Sequence, residues 1–314
     1  MLTNWYVRKE RLEMMKTLQC SVVWLLVVAS CVAADRKSVI ELWPSGLPEG
    51  ARPVDPERVK TLKAKNNPEH ITYVEQPSLT LHRAPADKAN GCAVVICPGG
   101  GYNVLAWEKE GTEIAQWFNS IGVTAAILQY RVPRRDLDRP HREPLQDAQR
   151  AIRLVRKHAA EWGVDPKRLG ILGFSAGGHL TAMAGMHWDE RTYDRVDDAD
   201  DMSCRPDFMC PIYPAYLADG YKDDVAELGS LVRVTAETPP TFLAVTQDDK
   251  MRGAQSALLF VELKKAGVPA ELHVYTKGGH GYGIRPSDNP VSTWHRRLAQ
   301  WMRASGLLRS RAKK

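Results

Sequence analysis

Short apolar runs alternate with amphipathic stretches along most of this chain, and the two periods are easily separated. Residues 92–97, 123–130, 168–172, 207–213, 241–246 and 270–275 are brief, apolar or alternating, and bounded by turn residues, as strands are. Between them lie helical patterns. Leu145, Ala148, Ile152, Val155 and Ala159 form one apolar stripe, with Arg150, Arg153, Arg156 and Lys157 expected on the outer face. Residues 254–266 form another helix, stopped by Gly267 and Pro269, and residues 291–304 a terminal amphipathic one. Residues 176–186, rich in Ala, Gly and Met with almost no charge, fit a helix packed on all sides. Repeated strand–helix units argue for an α/β fold, a mostly parallel sheet covered on both faces. A chain of 314 residues suits one such domain, and no internal repeat or low-complexity linker marks a second.

Gly173-Phe174-Ser175-Ala176-Gly177 falls at the junction of a predicted strand and the all-apolar helix. A serine on that sharp turn has its hydroxyl lifted above the sheet edge. Side chains at 173 or 177 are expected to collide where strand and helix nearly touch. A hydroxyl needs a base to become a nucleophile, and in this arrangement acid and base follow the serine in the order serine, acid, histidine. Of nine histidines, only His273, His280 and His295 come late enough. His273 sits in a strand pattern and His295 in the last helix. His280 lies on the loop Lys277-Gly278-Gly279-His280-Gly281-Tyr282-Gly283 and is the expected base.

The acid is expected where the strand at 241–246 ends, at Asp248 or Asp249. Asp248 comes first off the strand and is preferred, with the other aspartate left to cap the next helix. An oxyanion site requires backbone donors. Pro98-Gly99-Gly100-Gly101-Tyr102, after the strand at 92–97, supplies Gly100 and Gly101, joined by the N–H of Ala176. The glycine run lacks the spacing and lysine of a P-loop, which argues against nucleotide binding.

These motifs, together with Leu42-Trp43-Pro44-Ser45-Gly46, Gly178-His179-Leu180 and Pro239-Pro240-Thr241-Phe242-Leu243, resemble the secreted bacterial α/β-hydrolase esterases. The similarity is to the acetylxylan, feruloyl and other carbohydrate-ester esterases, some of them labelled xylanases. It runs from about residue 40 to 308. The resemblance implies an α/β-hydrolase fold without a large cap and a Ser175, His280, Asp248 triad. It also implies hydrolysis of short, chiefly acetyl, esters on a polysaccharide or other carbohydrate. One departure is Cys97-Pro98, where lipase-like relatives carry His-Gly, so the anchoring of the glycine loop is not carried over. Two rivals remain: a serine peptidase of the same fold, and a catalytically silent hydrolase-like protein that binds a glycan or partner.

The mechanism calls for no metal or organic cofactor, and no Cys/His spacing suggests zinc. Residues 18–34 are apolar, too short to span a bilayer comfortably, and preceded by Arg8, Lys9, Arg11 and Lys16. They read as a signal peptide ending at Ala34, its true start at Met15 being an alternative, with residues 35–314 as the mature domain. A secreted or periplasmic protein is expected. Val28-Ala29-Ser30-Cys31 resembles a lipobox, so anchoring through a lipid on Cys31 is the alternative.

Net charge is +6, of which the leader carries four bases and two acids, so the domain holds no nucleic-acid signature. The basic run Arg131, Arg134, Arg135, Arg139, His141 and Arg142 follows a strand end on the ligand-binding side of such sheets, where contact with uronic acids is one reading and a solvated loop the other. Residues 189–201 read as a solvated acidic loop. Cys92 and Cys97 point to opposite faces of one strand. Cys204 and Cys210 are free to pair in an oxidising compartment, buried thiols being the default. Tyr102, Trp107, Tyr216 and Tyr282 lie near the predicted loops as candidate sugar-stacking residues. No long hydrophobic insertion precedes the acid-bearing strand, which predicts an open groove unless residues 35–76 cover it.

Overall fold

The structure, a computed structural model, describes residues 37–309. The leader, with Met15, Cys20 and Cys31, lies outside the described residues. The chain divides at Ser38, and the large unit begins at Val39. Eight strands lie among the described residues: β1 (Lys37–Glu41), β2 (Ser78–His82), β3 (Ala93–Cys97), β4 (Thr124–Gln129), β5 (Leu169–Phe174), β6 (Phe208–Ile212), β7 (Thr241–Thr246) and β8 (Ala270–Tyr275). They form one sheet in the order β1-β2-β4-β3-β5-β6-β7-β8. β2 runs antiparallel to β4, and every pair from β4 to β8 is parallel.

Among the described residues six α-helices accompany the sheet: α1 (Pro56–Lys63), α2 (Glu113–Ser120), α3 (Arg142–Lys157), α4 (Ala176–Met186), α5 (Arg252–Lys265) and α6 (Trp294–Ala304). The side chains of β3 explain why two layers of helices are needed. Ala93, Val95 and Cys97 enter one core with Leu145, Ile152, Leu180 and Leu259 of α3, α4 and α5. Cys92, Val94 and Ile96 enter the other with Ile114, Phe118, Trp294 and Leu298 of α2 and α6. The period-2 alternation of a central parallel strand thus feeds both faces. All four described cysteines are free and buried, Cys204 and Cys210 included. No helical cap stands over the sheet among the described residues. The stretch between β6 and β7 carries only a short helical turn at Asp219–Tyr221.

Helix α4 is buried along its whole length. Helix α3 departs from expectation, because Arg150 and Arg153 are buried rather than outward. Arg150 pairs with Asp197 and, at 3.0 Å, with Asp200, and Arg153 donates to the Tyr193 hydroxyl at 2.8 Å. The acidic loop is therefore not simply solvated. It folds over α3 and supplies the counter-charge that lets guanidinium groups leave water. The basic run is likewise split. Arg131 is buried against Asp147, with Nε–Oδ2 at 2.9 Å, and Trp43 Nε1 donates to the same carboxylate at 2.9 Å. Arg139 and Arg142 stay exposed.

Candidate active site

Ser175 bridges β5 and α4 with φ 54° and ψ −117°, a region costly for a residue with a Cβ. The turn is held from both sides: Ser175 N–H donates to Ile212 O at 3.1 Å, and its carbonyl accepts from Ala215 N–H at 3.1 Å and His179 N–H at 3.0 Å. The flanking glycines are sterically required. A Cβ on Gly173 would strike the carbonyl of Gly177 and the Thr181 hydroxyl, and one on Gly177 would strike the carbonyls of Cys97 and Pro98. Strand and helix approach so closely that only glycine fits.

His280 lies on the loop after β8 and reaches over the sheet edge. Its Nε2 is 2.7 Å from Ser175 Oγ. Its Nδ1 is 2.6 Å from Asp249 Oδ2. The expectation that Asp248 faces this ring is corrected here. Asp248 points to solvent and accepts from the backbone N–H groups of Gly279 at 2.9 Å and Gly278 at 3.2 Å. Those bonds hold its carboxyl below the ordinary range, Gly279 contributing most. The chain turns sharply after Thr246, so the alternation of β7 no longer decides direction. Asp249 turns inward, 3 % exposed, and also pairs with Arg252, whose Nη2 is 2.5 Å from Asp223. Asp248 and Asp249 thus split the work, one shaping the histidine loop and the other meeting the ring.

Gly99, Gly100 and Gly101 pass beside the serine. Among the described residues, the N–H groups of Gly100, Gly101 and Ala176 have no hydrogen-bond acceptor. All three belong to the segments flanking Ser175, where free donors are what a developing oxyanion requires. The loop is anchored in a manner the residue pattern did not disclose. Tyr130 donates to Pro98 O at 2.6 Å, Arg134 N–H to Tyr102 O at 2.6 Å, and the buried Tyr102 hydroxyl meets His179 Nδ1 at 2.8 Å. Tyr102 is therefore a packing residue and unavailable for stacking on a sugar. Tyr282 is only partly exposed and donates to Ala244 O at 3.2 Å.

Glu110 went unrecognised in the sequence and sits at the centre of this arrangement. It is buried in a wide helical turn, Glu108–Thr112, that leads into α2. Oε2 accepts from Gly99 N–H at 2.7 Å and Oε1 from the Tyr213 hydroxyl at 2.8 Å. Tyr213 Oη also accepts from Gly283 N–H at 3.2 Å, and its ring packs edge-on against His280 with centroids 5.1 Å apart. Burial pushes the Glu110 carboxyl up, against the pull of its two donors. The available signal was its place on the stripe Glu110, Ile114, Phe118: a lone acid at core spacing.

A serine, an imidazole and a buried carboxylate in series, facing free N–H groups, are the parts needed for acyl transfer. The similarities of the chain agree with that geometry. The family profile described as BD-FAE matches residues 79–208, and that of the prolyl oligopeptidase family matches residues 198–305. An acetylxylan esterase of Xylanibacter ruminicola is 28% identical over 222 residues, covering 63% of this chain and 42% of the relative. An endo-1,4-beta-xylanase B of Butyrivibrio fibrisolvens is 30% identical over 234 residues, covering 69% of this chain and 36% of the relative. The chain therefore spans less than half the length of these two curated relatives. The crystal structure of an acetyl ester-xyloside bifunctional hydrolase from Caldicellulosiruptor lactoaceticus superposes with a TM-score of 0.69 at 34% identity. That match covers 86% of this chain and 97% of the other. With 34% identity across 86% of its length, the chain belongs to the α/β-hydrolase esterases, in the group that includes carbohydrate-ester esterases.

Proposed function

We propose that this protein is a serine esterase that removes short acyl groups, chiefly acetyl, from carbohydrate. The observation that carries the reading is the unbroken chain Ser175 Oγ, His280, Asp249, with contacts of 2.7 and 2.6 Å. His280 Nε2 takes the proton of Ser175 as Oγ attacks the ester carbonyl. Asp249 fixes the ring orientation and stabilises the imidazolium. The N–H groups of Gly100, Gly101 and Ala176 receive the oxyanion. His280 then protonates the departing sugar hydroxyl, leaving an acyl-enzyme. Water, deprotonated by the same histidine, attacks the acyl carbonyl and releases the carboxylic acid and free Ser175.

Carbohydrate as the alcohol is supported by the named activities of the acetylxylan esterase and the acetyl ester-xyloside hydrolase. A short acyl group is supported by the acetyl esters named for the same two proteins. The match to the prolyl oligopeptidase profile favours peptide-bond hydrolysis as a second reading, because both chemistries use these groups. We place the protein outside the cytoplasm, exported through residues 1–34, with lipid attachment at Cys31 as the alternative; fractionation of cells carrying the parent and Cys31→Ala chains distinguishes them.

The decisive experiment is hydrolysis of a graded series of acyl esters, with Ser175→Ala as control and a peptide anilide panel beside it. Acetyl preference abolished in the control supports the reading. Cleavage of anilides but not esters, or equal inertness of parent and control, overturns it.

A further inference from the structure

Among the described residues, two arginines beside the glycine loop make no ion pair with a carboxylate. Arg58, on α1, donates to Asn103 Oδ1, and Asn103 Nδ2 donates back to Gly101 O at 3.1 Å. Arg134 is tied to the next residue along, its N–H bonded to Tyr102 O at 2.6 Å, and its Nε is buried without a hydrogen-bond partner. Arg58 through its guanidinium and Arg134 through its backbone N–H therefore both hold residues 101–103, which run on from the Gly100 and Gly101 donors. Each is close enough to feel the other: burial and then the Arg134 charge hold Arg58 below the usual guanidinium range.

Several other arginines are ion-paired, while Arg135 donates to Val74 O at 3.2 Å. Arg131 has Asp147, Arg252 has Asp223 and Asp249, and Arg285 has Glu69 and Glu113. Asp55, the acid closest in sequence to Arg58, accepts from Glu57 N–H at 3.0 Å, and its charge acts on Arg58 less than burial and Arg134 do. Two like charges that feel each other, with no ion pair to a carboxylate among the described residues, make a site for an anion. Guanidinium groups suit a planar carboxylate, which they bind through paired N–H donors.

We infer that Arg58 and Arg134 form a subsite for the carboxylate of an acidic sugar, so that the preferred substrate is an acylated carbohydrate carrying a uronic acid near the ester. The inference rests on the esterase reading above for the ester but not for the anion. The Asn103 amide and the Tyr216 hydroxyl both lie beside Gly101, and the Tyr216 hydroxyl is a polar group of the kind that meets sugar hydroxyls. The substrate carboxylate relieves the repulsion between the guanidinium groups, and its attraction is screened by salt.

Two measurements on the full chain test this. The first compares kcat/KM for acetylated xylo-oligosaccharides with and without a uronic acid branch, in the parent, Arg58→Gln and Arg134→Gln. The parent is expected to favour the acidic substrate by about five- to tenfold at low salt, and either substitution or about 0.5 M salt to erase most of that ratio. The second titrates sodium glucuronate and glucose onto Ser175→Ala, with and without Arg134→Gln, so that binding is read without turnover. Preferential glucuronate binding lost with Arg134 supports the subsite even if no ester is cleaved, in which case the esterase reading alone falls. Ester turnover with no acidic preference, or a ratio unchanged by both substitutions, overturns the subsite.

Discussion

Glu110 accepts a hydrogen bond from Tyr213 at 2.8 Å, and through that contact the glycine loop is tied to the histidine loop. The carboxylate holds Gly99 on one oxygen and Tyr213 on the other, while Tyr213 holds Gly283. Loops that follow three different elements are thus set by one buried group. Glu110→Gln keeps the volume but turns one acceptor oxygen into a donor. A fall in kcat of about tenfold or more with little change in KM is expected, since misplaced donors act mainly in the transition state. Glu110→Ala, which strands two buried donors, should also cost roughly 2–4 kcal/mol in denaturant melts. If Glu110→Gln leaves kcat intact while lowering stability, the residue only packs the loop.

The two adjacent aspartates give the sharpest comparison. Asp249→Asn is expected to lower kcat by about 10³–10⁴, because the ring loses its orienting carboxylate. Asp248→Asn weakens the bonds to Gly278 and Gly279 and should cost no more than about tenfold. Steady-state kinetics on the two variants decide the assignment, and the reverse ranking would refute it.

Ser175→Ala and His280→Ala should each remove nearly all turnover, by about 10⁴ or more, and the double variant should be no worse than either. Additive losses would mean that the two groups do not act in one step.

Stability has its own buried pair. Arg131 and Asp147 are both fully shielded, and Asp147 also receives the Arg131 backbone N–H at 2.9 Å. Asp147→Asn leaves a buried guanidinium without its counter-charge and should destabilise by about 3–5 kcal/mol. Urea unfolding of the purified variant measures this, and a loss below about 1 kcal/mol would show that water reaches the pair.

Acid should weaken the fold before the carboxylates titrate. Burial lowers His141 from its ordinary value to about 4 and holds His179 well below its ordinary value. Both remain neutral when folded in a range where the unfolded chain takes up protons. Their contribution is complete above about pH 6.5 and is lost as pH falls from there towards 4. Glu110 acts with the opposite sign, its raised pKa favouring the folded state at lower pH. Melting temperatures across this range should fall for the parent, and fall less for His141→Gln.

The periodicities located the sheet because each strand is a local object. Residues 241–246 and 270–275 alternate or run apolar whatever surrounds them, and they are β7 and β8 as drawn from the pattern. Helix α4 was equally legible: a run of small apolar residues without charge can only be buried. Arg150 was misplaced because a helical wheel reports spacing, not what packs on the far face. Its burial depends on Asp197 and Asp200, which arrive from a loop some fifty residues later.

By itself the sequence determined the elbow at Ser175, the glycine loop, the late histidine loop and the α/β order, since strand, turn and helix preferences act over a few residues. Only the tertiary structure decided which aspartate meets His280, that Glu110 joins the loops, and that Arg58 and Arg134 stand together. Neighbours such as Asp248 and Asp249 are alike in chemistry and differ only in direction. That direction is set where the turn after β7 meets a loop thirty residues further on, a contact that no local pattern encodes.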